Sequence, residues 1–176
     1  MSLNRVSKAA LIATAMLGAH TAAWAAPTTL PVALTTASTA MVDDAANQAV
    51  VETLYSAFAA GDGATIAAIL SPDLVWMEAE GGPYADLNPY AGPPAVFEGV
   101  FGRIGAAFPD FKVTPAKLHV SGDTVFVQGR YTGTNAATGE AVDAQFMHVF
   151  TVSGGKIVAM QQYTDTAQWV DVVTPD

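Results

Sequence analysis

Among the ionisable side chains of this sequence, one carboxylate stands out by its neighbours. Glu78 follows the apolar run Leu74-Val75-Trp76-Met77. If that run is a strand, Glu78 shares a face with Trp76, because side chains two apart point to the same side. A carboxyl drawn into apolar surroundings has its pKa raised toward the range of a useful base. The competing reading is a strand-end carboxylate in water beside Glu80. His148 lies mid-strand between Phe146 and Phe150, where a neutral imidazole could relay a proton or simply fill a core or subunit interface. Asp165 closes a later strand pattern. It is an acid/base group or, with Thr166, Ala167, Gln168 and Trp169 after it, the N-cap of a helix. Arg130 and Gln128 alternate on one strand, and either could order Glu78 or touch a substrate; Arg130 also reads as a surface charge. Tyr84 and Tyr90 sit in a Gly- and Pro-rich stretch, as a lid over a pocket or as packing beneath a loop.

Other chemistries find no support. Beyond the N-terminal region the only histidines are His119 and His148, without His-x-x-x-His spacing or any cysteine. No metal site and no cofactor are therefore expected. A Gly-x-Ser-x-Gly elbow, a P-loop and a Gly-x-Gly-x-x-Gly turn are all absent. The formal net charge of −9, from 7 basic against 16 acidic residues, argues against nucleic acid and anionic membrane surfaces as partners.

These side chains need a scaffold, and the chain supplies one after a leader. Arg5 and Lys8 precede an apolar run from Ala9 to Ala19, and small residues close on Ala23-Trp24-Ala25. This is the pattern of a cleavable export signal over 1–25, so a periplasmic or secreted protein is expected. Residues 26–42 read as a flexible leader of Thr, Ala, Ser and Pro. In the domain, 43–176, Asp43 and Asp44 offer an N-cap to a helix carrying Val50, Val51, Leu54, Tyr55 and Phe58 and ending near Gly61. A short helix over Ala64 to Leu70 stops at Ser71-Pro72, and a strand follows from Leu74 to Glu78. Ala79 to Pro94 reads as a long loop, and Val96 to Phe108 as a third helix. The period then switches to two. Strands are expected at Phe111–Val120, Thr124–Thr134, Glu140–Val152 and Lys156–Thr164, joined by turns. The outcome is an α+β domain, three N-terminal helices packed on one face of a curved, mostly antiparallel sheet.

Several local motifs fall in an order that resembles the ketosteroid isomerase and SnoaL-like polyketide cyclase group of the NTF2-like superfamily. They are Phe58-Ala59-Ala60-Gly61-Asp62, Val75-Trp76-Met77-Glu78, Gly92-Pro93-Pro94-Ala95-Val96, Gly129-Arg130-Tyr131, Ala144-Gln145-Phe146-Met147-His148-Val149-Phe150, Gly155-Lys156-Ile157-Val158 and Gln162-Tyr163-Thr164-Asp165-Thr166. The resemblance covers about Asn47 to Val173. It implies a cone whose sheet wraps the first helix around an apolar pocket, with acids or amides inside for proton transfer. A gapless count from Ala60-Gly61-Asp62 puts the family's base at Glu78 and its oxyanion tyrosine at Leu54. A count back from Gly155-Lys156 puts the protonated aspartate at Met147. Both donors of ketosteroid isomerase are thus absent, and losing one alone costs roughly a hundredfold in rate, which excludes that activity itself. The expected pocket wall is Trp76, Leu54, Met147, Val149 and Met160, with His148, Asp165 and Gln162 as partners of Glu78 and Tyr84 and Arg130 as further contacts. A small apolar molecule is the expected ligand and a homodimer the expected assembly. The function is then cofactor-free acid/base catalysis of isomerase, cyclase, dehydratase or hydrolase type, or non-catalytic binding of a ligand or protein.

Overall fold

The computed structural model describes residues 35–174, with side-chain environments from residue 43 onward. The expected export signal, 1–25, and the first part of the expected leader lie outside the described residues. Helix α1 (Thr35–Ala60) begins within the segment read as leader, where Ala and Met favour helix and no proline intervenes. Asp43 and Asp44 lie inside it and do not cap it. Asp44 Oδ1 instead accepts from Gly122 N–H at 2.9 Å, and Asn47 Nδ2 donates to Gly122 O at 2.9 Å, so α1 grips a hairpin turn.

Helix α2 (Gly63–Ile69) is capped by Asp62, whose carboxylate accepts from Thr65 N–H. Strand β1 (Leu70–Met77) starts earlier than the sequence suggests, with Ser71 and Pro72 inside it. The expected loop carries a two-residue strand, β2 (Tyr90–Ala91). Gly92–Val96, the π turn Phe97–Phe101 and Gly102–Ala107 run on as one helix, α3. Then come β3 (Lys112–Ser121), β4 (Thr124–Thr134), β5 (Ala141–Ser153), β6 (Lys156–Thr164) and α4 (Thr166–Val173).

The expectation of three N-terminal helices needs correction. Among the described residues there are four helices, α3 follows β1 and β2, and α4 follows the sheet. The reason is packing: α4 buries Trp169 and Val172 against an end of the sheet that three helices leave open.

The six strands lie in the order β2-β1-β6-β5-β4-β3, antiparallel except for β1 beside β6, where Trp76 stands opposite Met160. Register shifts between Pro115 and Lys117, and between Thr151 and Val152, mark bulges, the usual device for curving a sheet. Side chains alternate strictly along β5: Val142, Ala144, Phe146, His148, Phe150 and Val152 are buried on the concave face. On β4 the same face carries Val125, Val127 and Tyr131. Gly129 stands between the last two because an added Cβ would lie 2.3 Å from Phe146. The concave face, α1 and α3 enclose the core.

Candidate functional site

The concave face does not close completely. A cavity of about 360 Å³ remains between α1, α3 and the sheet. Much of its wall is aromatic: Phe58, Trp76, Phe101, Phe108, Phe111 and Phe150 all line it. Into this apolar space project a few polar groups, on Tyr55, Glu78, Tyr131, His148 and Gln162.

Glu78 leaves the end of β1 on the same side as Trp76, as parity requires, and only 3% of it is exposed. Trp76 Nε1–H donates to its Oε1 at 2.7 Å. The backbone of Glu78 is fixed by the loop, since its N–H donates to Asn88 Oδ1 at 3.0 Å and its carbonyl accepts from Asn88 Nδ2 at 2.8 Å. Burial pushes the Glu78 carboxyl up to about 7, against the smaller opposing pull of the Trp76 and Gln162 hydrogen bonds. This carboxyl is poised to hold or release a proton near neutrality.

His148 faces the cavity from the middle of β5, between two tyrosines. Tyr55 Oη is 2.7 Å from its Nδ1, and Tyr131 Oη contacts its Nε2. Burial lowers the imidazole to about 3, so the ring is neutral at any ordinary pH, and it raises both phenols. Gln162 joins the two halves of the site. Its Nε2 donates to Tyr131 Oη at 2.8 Å, its Oε1 accepts from Ala79 N–H at 3.3 Å, and its amide lies against Glu78.

The sequence-derived candidates divide sharply. Leu54, Trp76, Glu78, His148 and Gln162 all line the cavity. Met160 is buried on the same face of β6, opposite Phe150, but in the core rather than on the cavity wall. Met147 and Val149 do not face the cavity. They point to the outer side of β5, because the even-numbered residues face inward and the count back from Gly155-Lys156 crosses a hairpin whose register shifts at Thr151–Val152. Arg130 is likewise on the outer face, paired with Asp143 across β4 and β5, and cannot reach Glu78. Asp165 is the N-cap of α4, its carboxylate accepting from Gln168 N–H at 3.3 Å; it is exposed and plays no part in the cavity. Tyr84 does not line this cavity: it packs edge-on against Trp169 at 5.9 Å and beneath the Arg103 guanidinium at 5.2 Å, and it borders a smaller space that Glu78, Tyr131 and Gln162 also line.

Two polar members of the wall escaped the sequence reading, Tyr55 and Tyr131. Tyr55 was legible only as part of the α1 stripe, and Tyr131 only as the neighbour of Arg130, although its odd-numbered parity with Val125 and Val127 points it inward. Among the described residues no group of three His, Asp or Glu side chains could hold a metal ion, and no helix is long and apolar enough to cross a membrane.

The family model of the SnoaL-like domain matches residues 51–160. An NTF2-like protein from Burkholderia thailandensis E264 superposes with a TM-score of 0.69 at 33% identity, over 74% of this chain and 98% of that one. Another of unknown function, from Burkholderia pseudomallei K96243, gives 0.67 at 25% identity over 73% and 98%. A candidate SnoaL-like polyketide cyclase from Jannaschia sp. CCS1 gives 0.64 at 22% identity over 76% and 96%, a likeness of fold. No curated protein matches the chain.

Proposed function

We propose a function that starts from one established fact: the chain belongs to the SnoaL-like domain family of the NTF2-like superfamily. In this reading the cavity binds a small, largely apolar molecule and Glu78 moves a proton on it without a cofactor. The observation that carries the reading is a carboxyl buried on the wall of a largely apolar cavity, where desolvation pushes its pKa up to about 7. A base is most effective when its pKa sits near the working pH, because it is then both available and strong enough. Trp76 holds one carboxylate oxygen, which leaves the other to take a proton from a bound carbon or hydroxyl acid. Tyr55, backed by His148 and Tyr131, supplies a neutral hydrogen-bonding group for the oxygen on which charge would develop. Isomerase, cyclase and dehydratase outcomes share this step, and in a hydrolase the same carboxylate would take the proton from an attacking water.

The apolar run before Ala23-Trp24-Ala25 supports export to the periplasm or beyond, and the outer face of the sheet supports a homodimer. The test of the function is solvent exchange. A molecule that co-purifies with the protein is identified by native mass spectrometry and returned to the protein in deuterated water. Wild type is expected to place deuterium on it, and Glu78→Gln to bind it equally well while losing at least a hundredfold in exchange rate. Equal exchange by the two proteins would leave the non-catalytic binder as the reading.

A further inference from the structure

The hydrogens of the Tyr55–His148–Tyr131 chain can be assigned by counting donors and acceptors. The count begins at Gln162. Its Oε1 accepts from the backbone N–H of Ala79, so the end of the amide turned toward Tyr131 is the donor, Nε2. The Tyr131 oxygen therefore already accepts one hydrogen bond. The hydrogen of Tyr131 has one recorded acceptor among the described residues, Nε2 of His148. A buried hydroxyl hydrogen is rarely left without a partner, so Tyr131 donates and Nε2 accepts.

His148 is neutral and carries a single N–H. With Nε2 accepting, that hydrogen sits on Nδ1 and is donated to Tyr55 Oη, 2.7 Å away. The hydrogen of Tyr55 is then left over. Among the described residues its hydroxyl has no partner but His148, and Tyr55 is part of the cavity wall. The opposite tautomer would make the Tyr131 oxygen accept twice and free its hydrogen instead, although Tyr131, which also lines the cavity, is the more deeply buried of the two phenols.

We infer that Tyr55 is a ligand-binding hydrogen-bond donor, its hydroxyl hydrogen turned into the cavity by Gln162, Tyr131 and His148 acting in series, and that the ligand is a neutral molecule presenting a carbonyl oxygen. A carbonyl is the acceptor that matches a single uncharged donor in a largely apolar wall, whereas a carboxylate would enter beside Glu78 unpaired. Tyr131 and His148 are positioning residues. They act by fixing which way Tyr55 donates. The inference rests on the proposed use of the cavity for binding, and its tests separate the two.

The tautomer is read without any ligand from the ring ¹⁵N shifts of His148 in the isotopically labelled protein, assigned against His148→Gln. A pyrrole-type Nδ1 and a pyridine-type Nε2 are expected; the reverse overturns the inference. The donor is read with two probes of similar size, 2-acetylnaphthalene and naphthalene. Tyr55→Phe should weaken the ketone by about 3- to 10-fold and leave naphthalene unchanged, the ordinary worth of one hydrogen bond. The carbonyl stretch of the bound ketone should lie lower in wild type than in Tyr55→Phe, and Tyr131→Phe should shift it partway. Binding of both probes with no change in Tyr55→Phe overturns the donor and spares the cavity. Failure of both to bind the wild type overturns the binding reading and the donor with it.

Discussion

Glu78 and His148 face one cavity, and burial displaces their pKa values in opposite directions, which makes stability depend on pH in a way that can be signed. Glu78 rises from 4.5 to about 7 on folding, so the folded chain holds a proton that the unfolded chain has already lost. Its contribution weakens as pH climbs from about 4.5 to about 7. His148 falls from 6.5 to about 3, so the unfolded chain binds a proton that the folded chain refuses, and its contribution weakens as pH drops from about 6.5. Between about 4.5 and 6.5 the two slopes cancel, and a plateau in the melting temperature is expected there, with a decline on either side. Glu78→Gln should raise stability above pH 7 by about 1–3 kcal/mol, since it removes a buried charge and keeps an oxygen for Trp76. In His148→Gln the fall on the acid side should flatten. Denaturant unfolding at pH 4, 5.5 and 8 distinguishes these outcomes. Glu78 was legible in the sequence because parity with Trp76 needs only two neighbours in one strand. The hydrogen bond between them was not, since it depends on rotamers. Arg130 and Asp165 were ambiguous for the same reason: a charge near a strand or at its end says nothing of where its partner lies, and here Asp143 and the start of α4 claim them.

The strand pattern of β5 shows how far an element can be read from its own residues. Asp143, Gln145 and Thr151 mark one face as outward, and Phe146, His148 and Phe150 mark the other as inward. That alternation alone places His148 in the core. The count carried across the Gly154-Gly155 turn missed by one, because both glycines take positive φ in a tight turn beside a bulge and the offset cannot be seen from spacing. The helices were legible wherever a stripe recurred, and α4 was legible as a cap followed by apolar residues but not as the lid on the open end. Two glycines test the packing of elements. In Gly129→Ala the new methyl would meet Phe146 at 2.3 Å and the Thr114 carbonyl at 2.5 Å, so a loss of about 1–3 kcal/mol or more is expected. In Gly105→Ala it meets nothing within 4 Å on a helix that borders the cavity, and a gain of up to about 1 kcal/mol is expected. Thermal melts of the two variants should move in opposite directions; a stabilised Gly129→Ala would show that β4 and β5 are packed otherwise.

Among the described residues the sheet has one face covered and one bare. On the bare side Met147 and Val149 are half-buried and Tyr163 is 57% exposed, beside the Arg130–Asp143 ion pair. Pairing of two copies across this face would cover the apolar groups, and light scattering at micromolar concentration should give twice the protomer mass in wild type and a single protomer in Tyr163→Glu. A wild-type monomer would remove the dimer. The strand order has a consequence of another kind, in time. Strand β6, which follows the other five strands in the chain, lies between β1 and β5, so the wall that holds Glu78 has only a two-residue neighbour until β6 arrives. A chain leaving the ribosome cannot close its central sheet until residue 164 has emerged. Contacts this distant along the chain slow folding, into the range of about milliseconds to seconds for sheet proteins of this size. A chain stopped after Ser153 should therefore give unprotected amides in hydrogen exchange. If the chain is threaded unfolded through a narrow channel, as the proposed export requires, such lateness is useful: the arrangement that puts the acid in its cavity also keeps the sheet open until β6 has emerged.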